Sequence, residues 1–246
     1  MLRELDPSQL TGRVETHLAN MPGGHRLQAA AAQAFAALQE DARAAGFELA
    51  IASSFRSYSR QLAIWNGKAS GQRRVHDDAG RDVDVTALAP GDRLRAILRY
   101  SAIPGTSRPH WGTDLDVYDA AVVPAGYQLE LSPQEVAPGG LFDPLHRWLD
   151  ERMARGESRD FYRPYFKDTG GTAPERWHLS YAPLAVSCAR QLTAQVLLAC
   201  WEECAASGET LQLAEEIRGA LPQVMTQYLA VAPQWCPLAT GSRAEA

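Results

Sequence analysis

Residues 113–119, TDLDVYD, alternate polar and apolar side chains with a period of two, the mark of a strand buried on one face only. Leu115 and Val117 share one face, and Asp114 and Asp116 share the other. A chain carrying this strand needs a sheet with one face against a core and the opposite face left polar. Two carboxylates side by side on that face call for a cation, an arginine or open solvent, and the strand by itself does not choose among them. Further candidate strands lie at 47–54 (FELAIASS), 127–131 (YQLEL), 161–166 (FYRPYF) and 175–181 (ERWHLSY). Strands drawn from such separated stretches, with helices grouped rather than alternating with them, predict an α+β fold built on a mixed or antiparallel sheet with flanking helices.

The alanine-rich stretch 24–46 reads as a helix ending at Gly46. A short helix is expected from about Ser59 to Trp65, another from Pro90 to Tyr100, and an amphipathic one over 142–156. Between them, 66–89 is rich in Gly, Asp and Arg and reads as a surface excursion of the kind that often carries function. From Pro183 onward three helical segments are expected, 184–207, 208–221 and 222–232, divided at Gly208 and Pro222, with a loose tail TGSRAEA. The organisation expected is one domain over 1–182, its core about 24–182, with 183–246 a helical C-terminal extension packed on it.

A formal charge of −5 supplies no basic footprint for nucleic acid, and the one basic run, GQRRV, is short. No stretch approaches the roughly 18 apolar residues of a membrane span. The N-terminal MLRELDPSQLTGRVETHL lacks the apolar core of a secretory signal, so the expected location is the cytoplasm. Cys188, Cys200, Cys204 and Cys236 then read as reduced thiols.

Three pieces carry candidate chemistry. In APERWHLSY, Glu175 precedes His178 by three residues. A histidine in such a strand is ordinarily a satisfied core residue, but here the glycine turn of SRPHWGTDLD brings His110 and Asp116 as company. Two histidines and an aspartate with one position left open are what a catalytic zinc needs for its water, and Glu175 is then placed as the base. The third piece is SSFRSYSRQ, residues 53–61, where Arg56 sits at a strand end. It reads either as a surface arginine or as the fixed positive group an amide hydrolase needs beside a developing oxyanion. Ser57 and Gln61 are equally ordinary as turn or capping residues. Trp111 and Trp177, next to the two histidines, read as core or as cleft wall, and His76 as a solvated residue of the excursion or, alternatively, a substrate-facing one.

Taken in this order, the three pieces resemble the zinc D-alanyl-D-alanine carboxypeptidases of the VanY type, within the LAS group of peptidoglycan peptidases. Those proteins show an S-G-Y-R-S-like stretch followed by a glutamine, then S-x-H-x-x-G-x-A-x-D, then E-x-W-H. The resemblance covers about residues 50 to 182. It implies Asp116 and His178 as zinc ligands, Glu175 as general base, Arg56 as transition-state stabiliser, and Ser107, with Gln61 and Ser57, as substrate contacts. One departure stands out. Aligned on Ser107, Gly112 and Asp116, the ligand histidine of the pattern falls on Pro109, with His110 one residue later, and Asp114 replaces the small alanine. Proline fixes its own φ and can reshape the loop, so His110 is expected to turn inward as the third ligand.

The function expected is a zinc-dependent carboxypeptidase that takes a terminal D-amino acid from a muropeptide or peptidoglycan precursor peptide, of D,D or L,D type, in cytoplasmic recycling. The rival expectation is a non-catalytic muropeptide-binding protein whose metal site is degraded at Pro109.

Overall fold

The computed structural model describes residues 4–231; the expected loose tail and Cys236 lie outside the described residues. Helix α1 (Pro7–Leu10) is capped by Asp6 and is followed by a two-stranded antiparallel ribbon, β1 (Ala19–Asn20) and β2 (Arg26–Leu27). Helix α2 (Ala29–Ala44) therefore starts five residues later than the alanine content suggests, because Gly23 and Gly24 adopt positive φ and turn the chain into the ribbon. Strand β3 (Leu49–Ser53) and helix α3 (Tyr58–Ala69) follow. Ser57 accepts from the Arg60 amide at the start of α3, which runs four residues beyond the expected end.

Residues 70–89 form the expected excursion, containing one short 3-10 turn at Val85–Ala87, before α4 (Pro90–Leu98). Strand β4 (Asp114–Asp119) realises the alternating stretch. Next come α5 (Pro133–Val136), α6 (Asp143–Ala154), β5 (Phe161–Tyr162) and β6 (His178–Tyr181). The expected strand at 127–131 does not form. There the Glu135 carboxylate accepts from the Tyr127 hydroxyl and the Glu130 and Ser132 amides, and Leu131 takes φ 54, so local bonds replace a ladder.

The sheet is antiparallel throughout, in the order β3-β4-β6-β5. Its apolar face, with Leu115, Val117 and Leu179, packs on Phe35 and Leu38 of α2 and on Leu149 of α6. The other face carries Asp114, Asp116, His178 and Ser180.

The C-terminal part contains α7 (Ala182–Gln191), α8 (Ala194–Ala206) and α9 (Ala214–Gln223). The expected single helix over 184–207 is divided because Thr193 caps a new start, its hydroxyl accepting from the Val196 amide. Pro222 does not end the next helix; it lies inside α9, which passes into a π-helical turn at Val224–Leu229. These helices share a hydrophobic cluster with α3 and α4, through Trp65, Ile97, Leu197, Trp201 and Ile217. Trp201 also donates to the Pro104 carbonyl, 2.8 Å away, and Trp65 to the Gln212 carbonyl at 3.0 Å. No single helix among the described residues is long and apolar enough to cross a membrane.

Phe35 is fully buried against the apolar face of the sheet, its ring meeting Phe161 edge-on at 6.1 Å. Phe35→Ala should lower the unfolding free energy by about 3–5 kcal/mol, read as a reduced urea midpoint at unchanged slope. A loss below about 1 kcal/mol would contradict this packing.

Candidate metal centre

The site is assembled by sheet register. Asp116 lies directly opposite His178 in the β4–β6 pair, and Asp114 opposite Ser180. Their polar side chains rise from one face, so the Asp116 Oδ1 stands 2.8 Å from His178 Nδ1 and the Asp114 Oδ2 stands 2.9 Å from His178 Nε2. The second Asp116 oxygen accepts from the Ser53 hydroxyl at the end of β3. Glu175, expected on the strand, lies one turn before it: the His178 amide donates to the Glu175 carbonyl at 3.1 Å. That turn folds the Glu175 carboxylate back to 3.8 Å from His178 Nδ1.

Asp116, Glu175 and His178 thus each offer one donor atom, all within 4.8 Å of one another. Two carboxylates and an imidazole at this spacing fit a divalent cation by charge and by donor type. Burial pushes the Glu175 carboxyl up to about 7, with Asp116 adding to the rise and His178 opposing it. Burial alone would lower the His178 imidazole, yet the flanking Asp114 and Asp116 hold it up at about 10.

The structure does not bring His110 to this cluster, contrary to the sequence expectation. Its ring is fully buried on the far side of the loop, with Nδ1 2.6 Å from the Arg56 carbonyl and Nε2 3.1 Å from the Gly105 amide. Both nitrogens are thereby committed to backbone, and burial lowers the imidazole to about 4, leaving it a neutral tether. Pro109 is the residue that faces the cleft, so the one-residue offset is real in space and the proline does not turn the histidine inward. The 3-10 turn Arg108–Trp111 ends at Gly112, whose φ of 68 strains any L side chain and where a Cβ would also crowd the Gln28 backbone nitrogen at 3.2 Å.

Arg56 lines the cleft and donates to Gln61 Oε1 at 2.9 Å, while Gln61, fully buried, donates to the Ala102 carbonyl at 2.6 Å. Gln61 therefore fixes Arg56 instead of lining the cleft, and Ser57 is occupied as the α3 cap. Ser107 lines the cleft, as do Trp111, Trp177 and His76, whose ring lies tilted against Tyr100 with centroids 4.2 Å apart. The cavity, about 1110 Å³, has room for a peptide.

Three neighbours escaped sequence reasoning. Lys68, near the end of α3, lines the cleft, and its sequence context does not mark it. Tyr165 lies 5.1 Å from the His178 ring, centroid to centroid. Arg108, buried against the polar face, donates to Asp114 Oδ2 at 2.9 Å, and nothing in its sequence context distinguishes it from a surface arginine.

Fold and site together define an α+β protein with a carboxylate–imidazole centre at the floor of a peptide-sized cleft. The VanY family model, described as D-alanyl-D-alanine carboxypeptidase, matches residues 24–184, and the chain belongs to that family. Two proteins of Haemophilus influenzae, both described only as uncharacterized, are similar to it. One is 48% identical over 104 residues, 41% of this chain and 71% of that protein; the other is 32% identical over 129 residues, 52% and 92%. Among solved structures, VanYB in complex with D-alanine-D-alanine is similar at 19% identity and TM-score 0.49, covering 76% of this chain and 90% of that one. The LdcB LD-carboxypeptidase is similar at 20% identity and TM-score 0.45, covering 75% and 78%.

The raised Glu175 carboxyl has a signed consequence for the metal-free protein. An unfolded glutamate releases its proton near about 4.3, whereas the folded one holds it to about 7. Between those values the folded state binds more protons, so rising pH weakens the fold. Wild type should lose stability relative to Glu175→Gln as pH rises from about 4.5 to 7, measured by urea unfolding of both proteins in the presence of chelator. A pH-independent gap between them would contradict the assigned burial effect.

Proposed function

We propose that this chain is a zinc-dependent carboxypeptidase that removes a terminal D-amino acid from soluble peptidoglycan-derived peptides. The observation that carries the reading is the convergence of Asp116, Glu175 and His178 in a VanY-family cleft. Asp116 and His178 would hold the cation, which when bound supplies Lewis-acid polarisation of the scissile carbonyl and of water. Glu175, its carboxyl raised to about 7, takes a proton from the attacking water and returns it to the leaving amine. Arg56, held by Gln61, donates to the oxyanion as it develops. Ser107 presents its hydroxyl to the peptide from the cleft wall. The family's description as D-alanyl-D-alanine carboxypeptidase supports the substrate class.

A second reading, a muropeptide-binding protein without catalysis, is favoured by one observation, that Pro109 faces the cleft where the family pattern has its histidine. The two readings separate on purified protein. Zinc content by elemental analysis, followed by incubation with muramyl tetrapeptide and pentapeptide, should give one zinc per chain and free D-alanine, the preferred peptide naming L,D or D,D cleavage. Glu175→Gln should keep its zinc and lose about 10²–10⁴-fold in rate. A metal-free wild type that binds the peptides intact would establish the binding protein instead.

A further inference from the structure

With His110 committed to backbone and Pro109 offering no donor, His178 is the one imidazole at the centre among the described residues. Its orientation then decides whether a cation can be held at all. We propose that Asp114 is a positioning residue for His178: it accepts from Nε2–H, so that Nδ1, on giving up to solvent the proton it shares with Asp116 in the metal-free protein, is the nitrogen presented to the cation beside Asp116. The inference rests on the metal-dependent reading above and concerns a residue where the family pattern has alanine.

The geometry is specific. Asp114 is fully buried, with Oδ2 2.9 Å from His178 Nε2 and 2.9 Å from Arg108 Nε. Its Oδ1 accepts from the Thr113 hydroxyl at 2.6 Å and the Ser180 hydroxyl at 2.8 Å. Arg108 is itself fixed, donating through Nη2 to the Tyr162 and Ser180 hydroxyls, each at 2.7 Å, with its guanidinium 4.7 Å from the centre of the Trp111 ring. Each lone pair of the carboxylate is thus engaged, and the carboxylate cannot swing away from the imidazole.

A buried ion pair of this kind contributes little stability over an apolar pair of equal volume. Its place directly behind a metal-facing imidazole is where a carboxylate fixes the tautomer and strengthens the ligand, an effect worth about 10–100-fold in metal affinity. The Asp114–His178 bond therefore offsets part of what the missing second histidine removes.

The test measures zinc affinity by competition with a chromophoric chelator, and not by turnover. Asp114→Asn should bind zinc about 10–100-fold more weakly than wild type. Because a lone charge left on Arg108 can unfold the site, the paired variant Arg108→Met with Asp114→Leu removes both charges; it should melt near the wild-type temperature and show the same loss. Nitrogen-15 NMR of the zinc-loaded wild type should find His178 protonated at Nε2 and ligating through Nδ1. Variants that bind zinc as tightly as wild type, or a His178 ligating through Nε2, would overturn the positioning role while leaving the metal-dependent reading intact. A wild type that takes up no zinc would overturn both.

Discussion

The antiparallel pairing of β4 with β6 is the constraint on which the rest depends. It sets Asp116 opposite His178, and the period of two along both strands sends these side chains to one face and Leu115, Val117 and Leu179 to the other. A slip of one residue in either strand would bury the carboxylates against Phe35 and turn the leucines into the cleft, so register is enforced by the core itself. Packing and chemistry are two sides of one arrangement here. The hydrophobic face that stabilises the sheet is also what keeps the polar face rigid.

Around this pair the chain manages charge in layers. Arg108 stabilises Asp114 on the polar face, and Arg108 and His178 together hold that carboxyl well below the ordinary carboxylate range against the effect of burial. On the same face, Asp116 and His178 form the carboxylate–imidazole pair of the candidate centre, and the Glu175 carboxylate stands beside them. The loop 103–112 is tied down independently, by His110 to the backbone of Arg56 and Gly105 and by Trp201 to Pro104. The C-terminal helices thus brace the segment that carries Ser107 and Pro109.

Much of this was legible in the sequence. The period of two in TDLDVYD gave both the strand and its polar face, and Glu175 three residues before His178 marked the remaining half of the centre. What was not legible depended on contacts between distant residues. His110 and Pro109 are neighbours, and which one faces the cleft is decided by hydrogen bonds to Arg56 and Gly105 that no local pattern announces. The apolar alternation of 127–131 was outweighed by the Glu135 carboxylate gathering its amides. Gln61 and Ser57 looked like substrate contacts because they accompany Arg56, and they serve that arginine and its helix instead.

In the proposed metal centre one imidazole, from His178, is joined by carboxylate oxygen. X-ray absorption at the zinc edge of the loaded protein tests it most directly. The account predicts scattering from a single imidazole with the remaining ligands oxygen, at about 2.0–2.2 Å. A fit requiring two imidazoles would put a second histidine on the metal and contradict the account.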